Sequence, residues 1–222
     1  MKKLFIIALC AASTTSFAQG IIGPKVGLSI SNFRDTKSTG GTTDYNAVIA
    51  PQVGVMFNAR LGDVISLRPE ILYVQRGAKV SGFGGTSTIL LSYAELPFNV
   101  VGAIPVGPGK IEIFAGPSVG YLFGGKVKTP FGDFKVKGED EPTNGGAPDE
   151  AYFNYLNVSM NMGVGYNWKG LIFQVGYNLG FSNLAPHAED RDSPAEEARK
   201  DNVTKASAVT FGVAYLFGGK ED

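Results

Sequence analysis

Residues 156–168 read LNVSMNMGVGYNW, residues 169–170 are Lys-Gly, and residues 171–180 read LIFQVGYNLG. In the first run Leu156, Val158, Met160, Met162, Val164 and Tyr166 alternate with Asn157, Ser159, Asn161, Gly163, Gly165 and Asn167. In the second, Leu171, Phe173, Val175, Tyr177 and Leu179 oppose Gln174, Gly176, Asn178 and Gly180. Side chains on a strand point alternately to its two faces, so this period-two pattern predicts two strands joined by a tight turn. The polar face decides what surrounds them. A soluble barrel of the lipocalin kind turns its polar face to water, where Lys and Glu abound. Here that face is glycine and small amides, so it is predicted to line a crowded lumen while the apolar face meets lipid.

The same alternation recurs along the chain. It places Val26, Leu28 and Ile30 on one face, then Val53, Val55 and Phe57, then Ile65, Leu67, Ile71 and Tyr73. Leu96, Phe98 and Val100 follow, then Ile111, Ile113, Val119, Tyr121 and Phe123, and last Val209, Phe211, Val213, Tyr215 and Phe217. The connections alternate as well. Short turns are expected at 61–64, 104–109 and 168–170, and long polar loops at 34–47, 77–88, 124–151 and 185–206. Strands long enough for a bilayer, about 9–11 residues, with short turns on one rim and long loops on the other, are the pattern of a bacterial outer-membrane barrel. The expected fold is all-β: an eight-stranded antiparallel up-and-down transmembrane β-barrel with short periplasmic turns and long extracellular loops. Tyr73, Tyr121, Phe123, Tyr166, Trp168 and Phe217 fall toward strand ends, as interfacial girdles require.

Whole-chain composition agrees. The 222 residues carry 20 basic and 20 acidic side chains, 44% hydrophobic residues, 30 glycines, one His and one Cys, with a mean hydropathy of +0.04. A balanced charge argues against a nucleic-acid binder, which needs a basic stripe. One Cys rules out an intramolecular disulfide scaffold. The N-terminus reads as a secretory signal at residues 1–18, with Lys2 and Lys3, an apolar run from Leu4 to Ala12, and the small-x-small site Ser16-Phe17-Ala18. Cleavage there removes Cys10 and leaves 19–222 as the barrel domain. A lipoprotein processed at Cys10 is disfavoured by the bulky Leu9 and the short apolar run that would remain.

Several runs carry a family resemblance: residues 51–57 PQVGVMF, 66–79 SLRPEILYVQRGAK, 93–98 YAELPF, 114–122 FAGPSVGYL and 175–184 VGYNLGFSNL. In this order they resemble the PorT-like outer-membrane β-barrel family of Bacteroidota. The resemblance covers nearly the whole mature chain and implies an outer-membrane location; it supplies no reaction. Tyr215-Leu216-Phe217 also resembles the aromatic-ended signal read by barrel-assembly machinery, from which the tail at 218–222 departs.

Charged residues on the predicted lumen face cluster at Arg60, Arg68, Glu70, Arg76, Glu95 and Glu112. Strand direction sets Arg60, Arg68 and Glu112 toward the periplasm and Glu70 and Glu95 near mid-depth. An eight-stranded barrel is just wide enough to be filled by side chains, so these charges are expected to form a structural network of ion pairs. Intramembrane ionisable groups are also functional suspects, which leaves a gated ion or proton path as the alternative. No catalytic, cofactor or metal site is expected. His187 sits among Glu189, Asp190 and Asp192 and reads as a solvated loop residue. Ser193-Pro-Ala-Glu196 is a capping box opening a short surface helix, and 190–201 lacks the glycine that a calcium loop wants at its sixth position. Acidic residues 139–141 and 149–150 read as external surface, and Phe131, Asp133, Phe134 and Lys135 suggest a hairpin above the membrane.

The functional expectation is a small, monomeric, non-enzymatic outer-membrane barrel acting as an envelope scaffold or surface-interaction protein. Its expected partners are outer-membrane lipid, the assembly machinery and a protein reached through loops 124–151 and 185–206, with no nucleic acid. A narrow pore for small solutes and an accessory subunit of a secretion machine are the alternatives.

Overall fold

Alternating sequence becomes one continuous sheet. A computed structural model describes residues 20–37, 45–82, 84–139, 147, 149–186 and 203–217. Its strands are β1 (Gly20–Lys37), β2 (Tyr45–Arg60), β3 (Ile65–Gly82), β4 (Gly85–Val106), β5 (Gly109–Thr129), β6 (Gly132–Gly138), β7 (Glu150–Phe153), β8 (Leu156–Trp168), β9 (Leu171–Gly180) and β10 (Val203–Tyr215). Eight of them close a ring of antiparallel pairs, β1-β2-β3-β4-β5-β8-β9-β10, with β10 returning to β1. Closure leaves no sheet edge within the ring, which a lipid environment demands.

Register sets the barrel's dimensions. Ladder partners lead from Gly20 to Ala59, Leu67, Val100, Ala115, Met162, Tyr177, Val209 and back to β1 at Ile30, ten residues higher. A stagger of that size in eight strands corresponds to a tilt of roughly 40°. On β5 the outward run from Ile111 to Phe123 then rises roughly 30 Å at about 3.3 Å per residue, enough for the apolar band of such a barrel, about 25 Å. Val26, Leu28, Ile71, Phe98, Ile113, Val164, Phe173 and Phe211 all stand on this exposed outer face. Aromatic contacts edge it above and below: Tyr73 with Phe123 at 5.8 Å and Tyr121 with Tyr155 at 6.3 Å near the long-loop rim, Tyr215 with Phe217 at 5.1 Å near the other.

Local chemistry explains the turns. Lys169 and Gly170 connect the paired residues Trp168 and Leu171 with φ of 52° and 87°, the two positive values a type I′ hairpin needs. Gly107, at φ 60°, begins the two-residue turn between the paired Val106 and Gly109, with Pro108 at the second position, as in type II′. Inside, the Phe114 ring lies over Gly163 and Gly176, where an added Cβ would come within 2.5 and 3.2 Å of its tip. Those two glycines make room for an aromatic in a narrow lumen.

Two features differ from the sequence reading. Residues 77–88, expected as a long loop, are mostly strand: β3 and β4 stay paired to Gly82 and Gly85. Their alternation continues past the membrane band because Ala78 and Leu91 point into an apolar interior, and Gly84 and Gly85, at φ 101° and 132°, make the tight turn. The loop 124–151 also contributes structure of its own. β5 runs on to Thr129 and pairs with β6, forming the hairpin suggested by the sequence, and β7 adds to β6 in parallel. The short strands extend the wall beyond the ring, so the sheet counts ten strands while the barrel closes with the eight expected. The signal at 1–18, Cys10, His187, the capping box at 193–196 and the tail at 218–222 lie outside the described residues.

Candidate functional site

The lumen is divided along its axis, and the division begins in the sequence of β3. Its successive inward residues are Ser66, Arg68, Glu70, Leu72, Val74, Arg76 and Ala78, polar near the short-turn rim and, apart from Arg76, apolar toward the other. Neighbouring strands repeat the trend. β4 descends from Leu91 and Tyr93 to Glu95 and Asn99, and β5 climbs from Glu112 through Ser118 to Leu122.

Three buried ion pairs occupy the polar part. Nearest the short-turn rim, the Arg68 guanidinium donates two parallel hydrogen bonds to Glu112, at 2.7 and 2.9 Å, while its Nε donates to Asn58 Oδ1 at 3.1 Å. Asn167 Nδ2 donates to Glu112 Oε1 at 3.0 Å. Next, Lys25 Nζ lies 2.7 Å from Glu70 Oε2, and Asn99 Nδ2 donates to the other oxygen at 3.3 Å. Above them Arg76 donates to Glu95 Oε2 at 2.6 Å and to Asn178 Oδ1. Ser118 Oγ and Asn178 Nδ2 donate to Glu95 Oε1 at 2.8 and 3.3 Å.

Each carboxylate therefore receives at least one cation and one neutral donor. Three cations meet three anions, so the buried cluster is neutral. A buried charge is tolerated when it is paired and its remaining lone pairs are satisfied. The fork of Arg68 on Glu112 is the strongest form of such a pair. Arg68, Glu70, Arg76, Glu95 and Glu112 are each at most 2% exposed. A cavity of about 30 Å³ remains among Lys25, Glu70, Arg76, Glu95 and Gln174, room for a water or two.

Of the six residues singled out from the sequence, five enter these pairs. Arg60 does not: it stands exposed at the short-turn mouth and makes no ion pair among the described residues. It occupies the last position of β2, where its guanidinium reaches water and needs no buried partner. Its place in the neutral set is taken by Lys25, which alternation sets on the lumen face of β1, opposite to Val26, and which the sequence cluster did not include. The signal was available, since Lys25 is the one cation on that face within the span. The neutral partners Asn58, Asn99, Ser118, Asn167 and Asn178 were also missed as a group, because an amide on a lumen face does not announce which carboxylate it serves.

Beyond Arg76 and Glu95 the lumen changes character. Phe33, Ala78, Leu91, Tyr93, Leu122, Val136, Leu184 and Ala206 form an apolar cluster, with Tyr45, Ile89, Val127 and Phe153 packed against it. Val136 and Phe153 come from β6 and β7, so the added strands help wall this cap. Outside the membrane band the Tyr152 hydroxyl donates to Glu150 Oε2 at 2.7 Å, and Lys137 Nζ lies 3.5 Å from Oε1. That hydroxyl, more than the ammonium, lowers the Glu150 carboxyl from its ordinary value, and the hydrogen bond to Glu150 in turn pushes the Tyr152 phenol up. No described group of three or more His, Cys, Asp or Glu is placed to hold a metal ion.

Among solved structures, the chain is similar to neisserial surface protein A at 12% identity and TM-score 0.47, covering 87% of this chain and 97% of that one. It is similar to Ail, the attachment invasion locus protein of Yersinia pestis, at 12% identity and TM-score 0.45, with 89% and 99% covered. OprG of Pseudomonas aeruginosa matches at 13% identity and TM-score 0.44, with 90% and 97% covered. No curated protein matches at significant similarity. The profile of the outer membrane protein beta-barrel domain matches residues 17–185. With a closed ring of eight antiparallel strands, an apolar exterior edged by aromatics and most of its length matched by that profile, the chain belongs to the outer membrane protein beta-barrel domain family.

Proposed function

We propose that this outer-membrane barrel is a non-enzymatic envelope scaffold or surface-interaction protein: a closed anchor that holds its extracellular strands and loops in place. The observation that carries the reading is the filled lumen. Three neutralised pairs cross the middle of the lumen above a cavity of about 80 Å³ at the periplasmic mouth, and an apolar cap closes the extracellular part. A solute path needs groups that bind an ion and release it. Here each cation is already paired with a carboxylate 2.6–2.7 Å away. Export through the N-terminal signal at residues 1–18, a monomeric state and folding by the assembly machinery belong to the same proposal.

A second reading, an accessory subunit of a secretion machine, rests on the resemblance to PorT-like barrels and on no motif that selects that role. Mild crosslinking of tagged protein in native envelopes, followed by co-purification, separates the two. Stoichiometric recovery of inner-membrane or periplasmic secretion components would favour the accessory subunit. Recovery of surface proteins, lost when 140–146 or 187–202 is shortened, is the expected result. A clean monomer with no partner would contradict the interaction role. Liposome swelling with small sugars tests the pore alternative, and no swelling above protein-free vesicles is expected.

A further inference from the structure

Cations on the outer face of the extracellular wall are arranged in a way that the lumen does not explain. Arg34 of β1 stands directly opposite Lys205 of β10, and Lys126 of β5 directly opposite Lys135 of β6. Their neighbours Phe33, Ala206 and Val136 point into the apolar cap, so alternation turns all four cations outward. Like charges directly opposite one another on a ladder are destabilising, and here the arrangement occurs twice. Among the described residues none of the four forms an ion pair. The nearest acid in register, Glu150 opposite Lys135, already has one oxygen on Tyr152 and the other on Lys137. Lys79 extends the basic belt, exposed and outside any ion pair among the described residues, whereas the exposed Lys128 faces Asp133 across the β5–β6 ladder and marks where the belt ends.

Height gives the belt its meaning. Lys126 follows three residues after Phe123, an outward aromatic of the upper edge. At about 3.3 Å per residue and a tilt of about 40°, its backbone lies roughly 8 Å above that edge. Arg34 follows four residues after Ile30, the last large apolar side chain facing out on β1, so its backbone lies roughly 10 Å above that side chain. The headgroup layer of a bilayer begins at the aromatic edge and is about 5–8 Å thick on each side. Flexible Lys and Arg side chains from this height reach down into it.

We propose that the Arg34–Lys205 and Lys126–Lys135 pairs are seats for the phosphate groups of a phosphorylated lipid of the outer leaflet. A dianionic phosphate between two facing cations converts their repulsion into a bridged ion pair. The outward belt then holds a shell of annular lipid against the extracellular wall. The inference uses the barrel's orientation in the membrane and is independent of whether the lumen conducts.

The test is native mass spectrometry of the full mature barrel released from phosphatidylethanolamine nanodiscs doped with bisphosphorylated lipid A or with its dephosphorylated form. All four side chains are on the outer face, so the Arg34→Gln/Lys205→Gln and Lys126→Gln/Lys135→Gln variants are expected to fold, as heat-modifiable migration on gels will report. Wild type should retain the bisphosphorylated lipid in preference to the dephosphorylated one. Each cation removed should lower that retention about five-fold, whereas Lys169→Gln in the opposite, periplasmic turn should leave it unchanged. Equal retention by wild type and both pair variants would overturn the proposal. So would an equal loss in Lys169→Gln. A soluble sulfated oligosaccharide that displaces no lipid, yet binds in detergent with the pair-variant dependence expected of the lipid, would reassign the belt to a soluble polyanion and also overturn it.

Discussion

The two parts of the lumen solve one packing problem by opposite means. Toward the periplasm the space is filled by charge: Lys25, Arg68 and Arg76 against Glu70, Glu112 and Glu95, each carboxylate receiving a further neutral donor. Toward the outside it is filled by Phe33, Leu91, Tyr93, Leu122 and Leu184, and no ion pair among the described residues enters that cluster. The charged part depends on every partner being present. The apolar part depends only on volume. The contrast teaches that closure here is redundant, so that loss of either filling leaves the other in place.

Breaking one partner of the charged part should have the largest effect. Glu112→Ala leaves the Arg68 guanidinium buried and unpaired, a loss of about 3–5 kcal/mol, read as a lower midpoint in urea unfolding followed by heat-modifiable migration. Replacing both partners at once, Arg68→Met with Glu112→Leu, should recover most of that loss, since apolar side chains of similar volume substitute for a buried pair at little cost. A double variant as unstable as the single one would mean that the pair does more than fill and neutralise.

In the apolar part, Leu122→Ala should cost about 2–4 kcal/mol through lost burial and the cavity left behind, with no rescue from any charge change. Tyr93→Phe is a finer probe. The Tyr93 hydroxyl is buried without a hydrogen-bond partner, so its removal should leave stability unchanged or raise it by about 1 kcal/mol. A clear loss would reveal a partner for the hydroxyl and make the cap less purely apolar than the contrast requires.

The smallest effect belongs to the wall of the cap. The Glu150 carboxyl is held below its ordinary value chiefly by the Tyr152 hydroxyl, with Lys137 secondary. A depressed carboxyl contributes stability that is present above its unfolded value, about 4.3, and lost as pH falls through the lower folded value. Protection factors of the β7 amides, corrected for intrinsic exchange, should therefore be flat above about pH 5 and fall below about pH 4, and Tyr152→Phe should weaken that acid dependence.

The division of the lumen was only partly legible in the sequence. Alternation in 156–180 carried the ring, its lipid face and its short turns, because period two is a local property of the chain. The charged cluster was legible as a set, since Arg68, Glu70, Arg76, Glu95 and Glu112 share one face. Its pairing was not: which carboxylate meets Lys25 and which meets Arg76 follows from the ten-residue stagger around the ring, a global quantity. The cap was hidden for a related reason. Ala78 falls in the expected loop 77–88 and Leu91 just beyond it, and neither reads as core until β6 and β7 are seen to extend the wall that encloses them.

Planar-bilayer recording of the purified wild-type barrel tests the closed lumen most directly. Insertion without stable conductance steps is the expected result, and it should persist in Glu112→Ala because the apolar cap remains. Reproducible single-channel steps from the wild type, abolished by Glu70→Gln or Glu95→Gln, would show that the charged part is a path and would contradict the closed anchor.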